Sequence, residues 1–199
     1  MKKSILVKKI VLGSANFTQN YGLISLKVKS NEIKSIFNFA KKNNINTIDT
    51  ADNYLQDFSM FKKINKNFNL ISKVEPDEKW LSINYCLKKL KSHLKKLNNL
   101  KINVLLIHNT KILFSKYGPK IFYNLEILKR MGYFKKIGIS IYEIDELKYL
   151  IHKYKIQVVQ CPFNLLDRRI VTSGWYNKLK LKKIEVHARS IFAKGLLVN

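Results

Sequence analysis

The sequence predicts an α/β fold of the TIM type, a (β/α)8 barrel lacking its eighth βα unit, built as one domain over residues 1–199. The first observation is a recurring ending. The run from Ile45 stops at Asp49, with Tyr54 five residues on; Leu70-Ile71-Ser72 leads to Lys73 and Val104-Leu105-Leu106-Ile107 to His108. Ile137-Gly138-Ile139 leads to Ser140, Val158-Val159 to Gln160, and the run from Ile184 to Ala188 to Arg189. The steps between these polar residues, 24, 35, 32, 20 and 29 positions, each suit one strand plus one helix. A parallel barrel gathers its functional groups at the C-terminal ends of its strands. The second observation is helical periodicity between the runs. The third is length: only seven strand candidates are found, and a complete barrel takes about 250 residues.

Taken in order, Ile10 to Phe17 is expected as the first strand, with Gly13 and Ser14 at its end. A helix from Ser30, which can cap it, to Asn43 buries Ile33, Ile36, Phe37 and Ala40. The Asp49 strand is followed by a short helix over residues 56–66 and a third strand from Asn69 to Val74. The clearest helix carries Trp80, Ile83, Leu87, Leu90, Leu94 and Leu97 at steps of three and four, with Lys88, Lys89, Lys91, Lys95 and Lys96 pointing elsewhere. A strand from Asn103 to His108, a helix from Gly118 to Arg130 closed by Gly132, and a strand from Lys135 to Ser140 come next. The remaining expectations are a helix Glu143–Tyr154 with Leu147, Leu150 and Ile151 inward, a strand Gln157–Phe163, a helix Thr172–Leu181 and a strand Ile184–Ser190. No linker or low-complexity segment divides the chain.

A hydrophobic content of 46% with 12% aromatics matches a folded domain rather than a disordered chain. The net charge of +25 raises nucleic acid as a partner. Against it, 34 of the 38 basic residues are lysine and they are spread along the chain, whereas base and phosphate readout favours the arginine fork. A coding bias toward A- and T-rich codons accounts for the lysines, and nucleic acid is not expected as a partner. Cys86 and Cys161 stand far apart, so neither a disulfide framework nor a zinc site is indicated and both read as small buried hydrophobes. The N-terminal apolar segment is interrupted by Lys8 and Lys9, too early for a signal core, and no run approaches membrane-spanning length. A cytoplasmic location is expected.

Single residues remain open to two readings. Asp49, taken alone, reads more often as a cap or turn former than as a catalytic carboxylate, and His108 is structural or functional. His93 and His152 read as surface or half-buried, His187 as packed within a strand, and no cluster suggests a metal.

Together the motifs resemble the aldo-keto reductase family. The matching stretches are L-G-S-A-N-F from Leu12, I-D-T-A-D-N-Y from Ile48, S-K-V around Lys73, L-L-I-H ending at His108 and I-G-I-S from Ile137. They continue with V-V-Q-C-P-F-N-L-L-D-R-R from Val158 and V-H-A-R-S-I-F-A-K-G-L-L from Val186. The tail from Asn164 resembles a bacterial branch associated with surface-polysaccharide or nucleotide-sugar pathways. The resemblance implies reduction of a small-molecule carbonyl by NADP(H) or NAD(H). Reducing a carbonyl needs a proton donor for the forming alkoxide, and a phenol with a lysine ammonium beside it and a carboxylate on that lysine can serve. A histidine can orient the carbonyl oxygen. The resemblance places Asp49, Tyr54, Lys73 and His108 in those roles, Ser140 and Gln160 at the nicotinamide carboxamide, and Arg189 and Ser190 beside the ring. It places Gly13 and Ser14 near the ribose and Gly195 and Leu196 at the pyrophosphate.

There are departures. Leu55 stands where the family usually has Gly, Ile141 where many members have Asn, and Thr18 where Gly is frequent. The sequence runs to Asn199, so the eighth strand and its basic loop have no counterpart, which bears on coenzyme affinity. The alternative reading is therefore a noncatalytic barrel relic or interaction module unable to hold coenzyme. Open barrel edges would also allow self-association.

Overall fold

A computed structural model describes residues 9–17, 28–54 and 68–197. The expected helix over 56–66, and with it Thr18 and Leu55, lies outside the described residues. Seven strands form one parallel sheet in sequential order: β1 (Leu12–Gly13), β2 (Thr47–Asp49), β3 (Asn69–Val74), β4 (Ile102–Ile107), β5 (Phe134–Ser140), β6 (Val158–Pro162) and β7 (Glu185–Arg189). Among the described residues the sheet curls into a half-barrel consistent with a (β/α)8 barrel missing its eighth unit, and β1 and β7 each pair on one side alone.

β1 is far shorter than the eight residues expected. Among the described residues it has a single neighbour, joined through Leu12 with Ile48 and Gly13 with Asp49, and the chain then tightens into the 3-10 turn Ala15–Phe17. The interior strands, paired on both sides, follow the expected runs closely.

The helices among the described residues are α1 (Ser30–Lys42), α2 (Ile83–Lys96), α3 (Lys111–Phe114), α4 (Gly118–Arg130), α5 (Glu146–Lys153), α6 (Arg169–Thr172) and α7 (Trp175–Leu181). Lys29, one residue before the expected cap, precedes α1, and its N–H donates to the Glu32 carboxylate at 2.8 Å. The long helix expected through Trp80 divides: Glu78–Leu81 is a 3-10 turn, and α2 starts afresh after Ser82, whose hydroxyl accepts from the Tyr85 N–H. α5 starts later than expected because the Glu146 carboxylate accepts from the N–H groups of Tyr142 and Glu143, holding them as a loop. The helix expected from Thr172 to Leu181 is two helices, separated by Gly174 at φ 76°, a left-handed conformation glycine adopts at little cost.

Two apolar layers follow from strand alternation. Leu70, Leu105 and Ile107 face the helices in the main core, whereas Ile71, Val104, Leu106 and Val158 form a separate buried cluster inside the barrel. Gly138 makes room there. A Cβ on it would lie 2.5 Å from Leu106 Cδ2 and from the Val158 carbonyl oxygen. No helix among the described residues is long and apolar enough to cross a membrane.

Candidate active site

Alternation that sends Ile71 into the barrel sends Lys73, two residues on, the same way, and it carries His108 to the mouth above Leu106. The ladder continues past the strand ends: N–H groups of Ser14, Thr50, Asp52, His108, Ile141 and Phe163 donate to carbonyls of Asp49, Ile71, Lys73, Val74, Gln160 and Arg189 respectively. The rim is thus tied residue by residue to its neighbours.

Lys73 is the largest fully buried side chain among the described residues, at 1% exposure, and its Nζ donates to both oxygens of Asp49 at 2.7 Å. Burial pushes the ammonium below the usual lysine range, while the Asp49 charge acts to raise it. The same Nζ lies 5.1 Å from the centre of the Tyr54 ring, and the Tyr54 and His108 rings meet edge to face with centroids 5.6 Å apart. Burial first, and the Lys73 cation second, hold His108 below the ordinary histidine value, so it stands neutral near pH 7. His108 Nδ1 is 3.1 Å from Glu75 Oε1 but off the line of a hydrogen bond, and Glu75 Oε1 also accepts from Asn53 Nδ2. The four residues expected as catalytic are therefore one cluster.

Around it, Ser140 and Gln160 are register partners on β5 and β6, both buried. Gly13 ends β1, and Ser14 is fully buried beside it. Arg189 ends β7, with its guanidinium 4.1 Å above the Tyr142 ring and Nη2 donating to the Ile141 carbonyl at 3.0 Å. Ser190 follows at φ 56°, its carbonyl accepting from Asn164 Nδ2. Gly195 and Leu196 lie farther along, in and after the turn Ala193–Gly195, with Leu196 exposed. Ser14 Oγ, Gln160 Oε1 and Arg189 Nε are buried without a hydrogen-bond partner among the described residues.

Tyr142, Glu75 and Asn53 join the rim without having been singled out from sequence. Tyr142 follows Ser140 by two residues, a position the strand-end pattern could have flagged. His93, expected at the surface or half-buried, is buried at 3% exposure; its spacing between Leu90 and Leu97 on the apolar stripe was the available signal. Among the described residues no group of metal-ligating side chains occurs.

Residues 9–199 match the model of the aldo/keto reductase family, and with nearly the whole chain covered the protein belongs to it. Its fold is shared by solved aldo-keto reductases of low sequence identity. One from Bacillus halodurans, in its holo form, superposes with a TM-score of 0.74 at 21% identity, covering 95% of this chain and 64% of that one. One from Brucella melitensis gives 0.67 at 20% identity, with 93% and 69% covered. One from Bombyx mori, in complex with NADP, gives 0.69 at 19% identity, with 92% and 62% covered. The chain thus spans about two thirds of the length of these structures. No curated protein sequence matches it.

Proposed function

We propose that the protein reduces an aldehyde or ketone to an alcohol with a nicotinamide coenzyme, using Tyr54 as proton donor. The observation that carries this reading is the buried Lys73 ammonium, gripped by both Asp49 oxygens and 5.1 Å from the Tyr54 ring, with the His108 ring on that tyrosine's edge. A cation in a low-dielectric site favours phenolate, which eases release of the phenol proton. Asp49 keeps the ammonium charged and aimed. Neutral His108 can donate one ring N–H to the carbonyl oxygen as negative charge develops there.

The unpartnered buried atoms fit the coenzyme. Gln160 Oε1 can accept an amide N–H, Ser14 Oγ can donate or accept, and Arg189 Nε is a spare donor. When bound, the nicotinamide supplies the hydride. Ser140, Arg189 and Ser190 complete the proposed ring contacts, with Gly13 at the ribose and Gly195 and Leu196 at the pyrophosphate. The Bombyx mori structure in complex with NADP supports the coenzyme class; NADPH and NADH both remain candidates. The resemblance of the Asn164–Arg169 stretch to the polysaccharide-associated branch favours a sugar-derived carbonyl. The second reading, a noncatalytic barrel, draws on the sheet's two edges, unpaired among the described residues.

The test is a fluorescence titration with NADPH and NADH alongside size-exclusion chromatography, then turnover of an aldehyde and ketone panel by the wild type and Tyr54→Phe. The variant should lose about two to four orders of magnitude in rate. Near-normal turnover by Tyr54→Phe removes it from the mechanism. A wild type that binds neither coenzyme establishes the noncatalytic reading.

A further inference from the structure

The site stands on a second layer of polar side chains that the proposed chemistry does not use. Alternation that points Lys73 into the barrel points its neighbour Ser72 outward, into the helix layer. There Ser72 Oγ lies 2.6 Å from Nε2 of His93 on α2. The other ring nitrogen of His93, Nδ1, lies 3.1 Å from Asp52 Oδ1. Asp52 opens the turn that delivers Tyr54, and its own N–H donates to the Lys73 carbonyl at 3.0 Å. The Lys96 ammonium lies 3.5 Å from the same Asp52 oxygen.

A serine, histidine and aspartate in a row have the composition of a nucleophilic relay. Burial excludes that use: Ser72 is fully enclosed between sheet and helix, where no substrate reaches its oxygen. A different role fits. One arrangement of hydrogens satisfies the whole row, with the Ser72 hydroxyl donating to Nε2 and Nδ1–H donating to the Asp52 carboxylate. A single rigid ring then fastens the two segments that hold the phenol and the ammonium, one residue before Lys73 and two residues before Tyr54. An apolar side chain at this point of α2 would fill the same space and fasten neither.

We infer that His93 is a positioning residue: by bridging Ser72 and Asp52 it fixes the Tyr54 turn against the Lys73 strand end and sets the distance between phenol and ammonium. This rests on the reductase reading for its effect on turnover. Its effect on the Tyr54 turn does not depend on that reading.

The test compares the wild type with His93→Leu, His93→Asn and His93→Gln. His93→Asn retains a donor where Nδ1 reaches Asp52, and His93→Gln an acceptor where Nε2 meets Ser72. His93→Leu should lower kcat by about 10- to 100-fold, as expected when reacting groups drift by up to about 1 Å. Coenzyme Kd should change by less than about threefold, because the coenzyme contacts lie on other strands. His93→Asn should recover more of kcat than His93→Gln, since the bond to Asp52 is the one that carries the Tyr54 turn. Amide hydrogen exchange of the coenzyme-free protein gives a readout independent of turnover. In His93→Leu the Asp52 and Tyr54 amides should exchange about tenfold faster or more, with β5 and β6 unchanged. Unchanged kcat and exchange in His93→Leu would overturn the inference. So would equal losses of kcat and thermal stability in all three variants, which mark a merely structural residue. A wild type without turnover defeats the reductase reading alone, and the exchange measurement then decides: faster exchange confined to the Tyr54 turn supports the positioning role, and unchanged exchange ends it.

Discussion

The Asp49–Lys73 pair makes an asymmetric prediction. Lys73 is 1% exposed and Asp49 18% exposed, so the two partners do not suffer equally when one is removed. In Asp49→Asn the ammonium stays buried with its countercharge gone; breaking a buried pair this way costs about 3–5 kcal/mol. In Lys73→Met a shape-compatible apolar chain replaces the ammonium, and the stranded carboxylate can reach water, so the loss should be about 1–2 kcal/mol. With a urea dependence of roughly 2 kcal/mol per molar, the midpoint should fall by about 1.5–2.5 M in the first variant and by under about 1 M in the second. The pH dependence checks the cause. Burial already lowers the Lys73 ammonium in the wild type, and loss of Asp49 removes the opposing influence. The unfolded chain then holds a proton that the folded one sheds, so stability of Asp49→Asn should rise as pH increases from 7 toward the unfolded lysine value of about 10.4. Urea unfolding at several pH values measures both effects. A larger loss in Lys73→Met than in Asp49→Asn, or a flat pH profile for Asp49→Asn, would refute the reasoning.

Gly138→Ala should destabilise by about 1–3 kcal/mol, because the new methyl meets the Val158 backbone as well as the yielding Leu106 side chain; a urea midpoint equal to wild type would contradict the close approach. Stability of the wild type should also fall on mild acidification. Burial lowers both His108 and His187 from the ordinary histidine value of about 6.5, so below that pH the unfolded state takes up protons that the folded state resists. Asp52 adds a second decline between its ordinary 3.8 and about 2, because its hydrogen bond to His93 favours the carboxylate in the folded state. Urea midpoints at pH 8, 6 and 4.5 should decrease in that order, and a flat profile from 8 to 4.5 would count against buried neutral histidines.

The sequence alone determined what depends on local period and on order along the chain. Alternation and apolar run length placed β3 at its observed bounds, Asn69–Val74, and the 3.6 period with its end residues placed α4 at Gly118–Arg130. The residues at the run ends could be read as a rim because each strand end in a parallel barrel faces the same way, and Asp49, Tyr54, Lys73 and His108 do meet. Tertiary structure decided what depends on partners far off in sequence. β1 is two residues because pairing, not composition, defines a strand, and among the described residues it has one neighbour. Arg189 lies over Tyr142 because the ends of β5 and β7, one strand apart across β6, bring them together over 47 residues of chain. His93 looked like one polar residue in a lysine-rich helix. Its partners Ser72 and Asp52 lie 21 and 41 residues away, on β3 and in the turn after β2, which no periodicity along α2 can reveal.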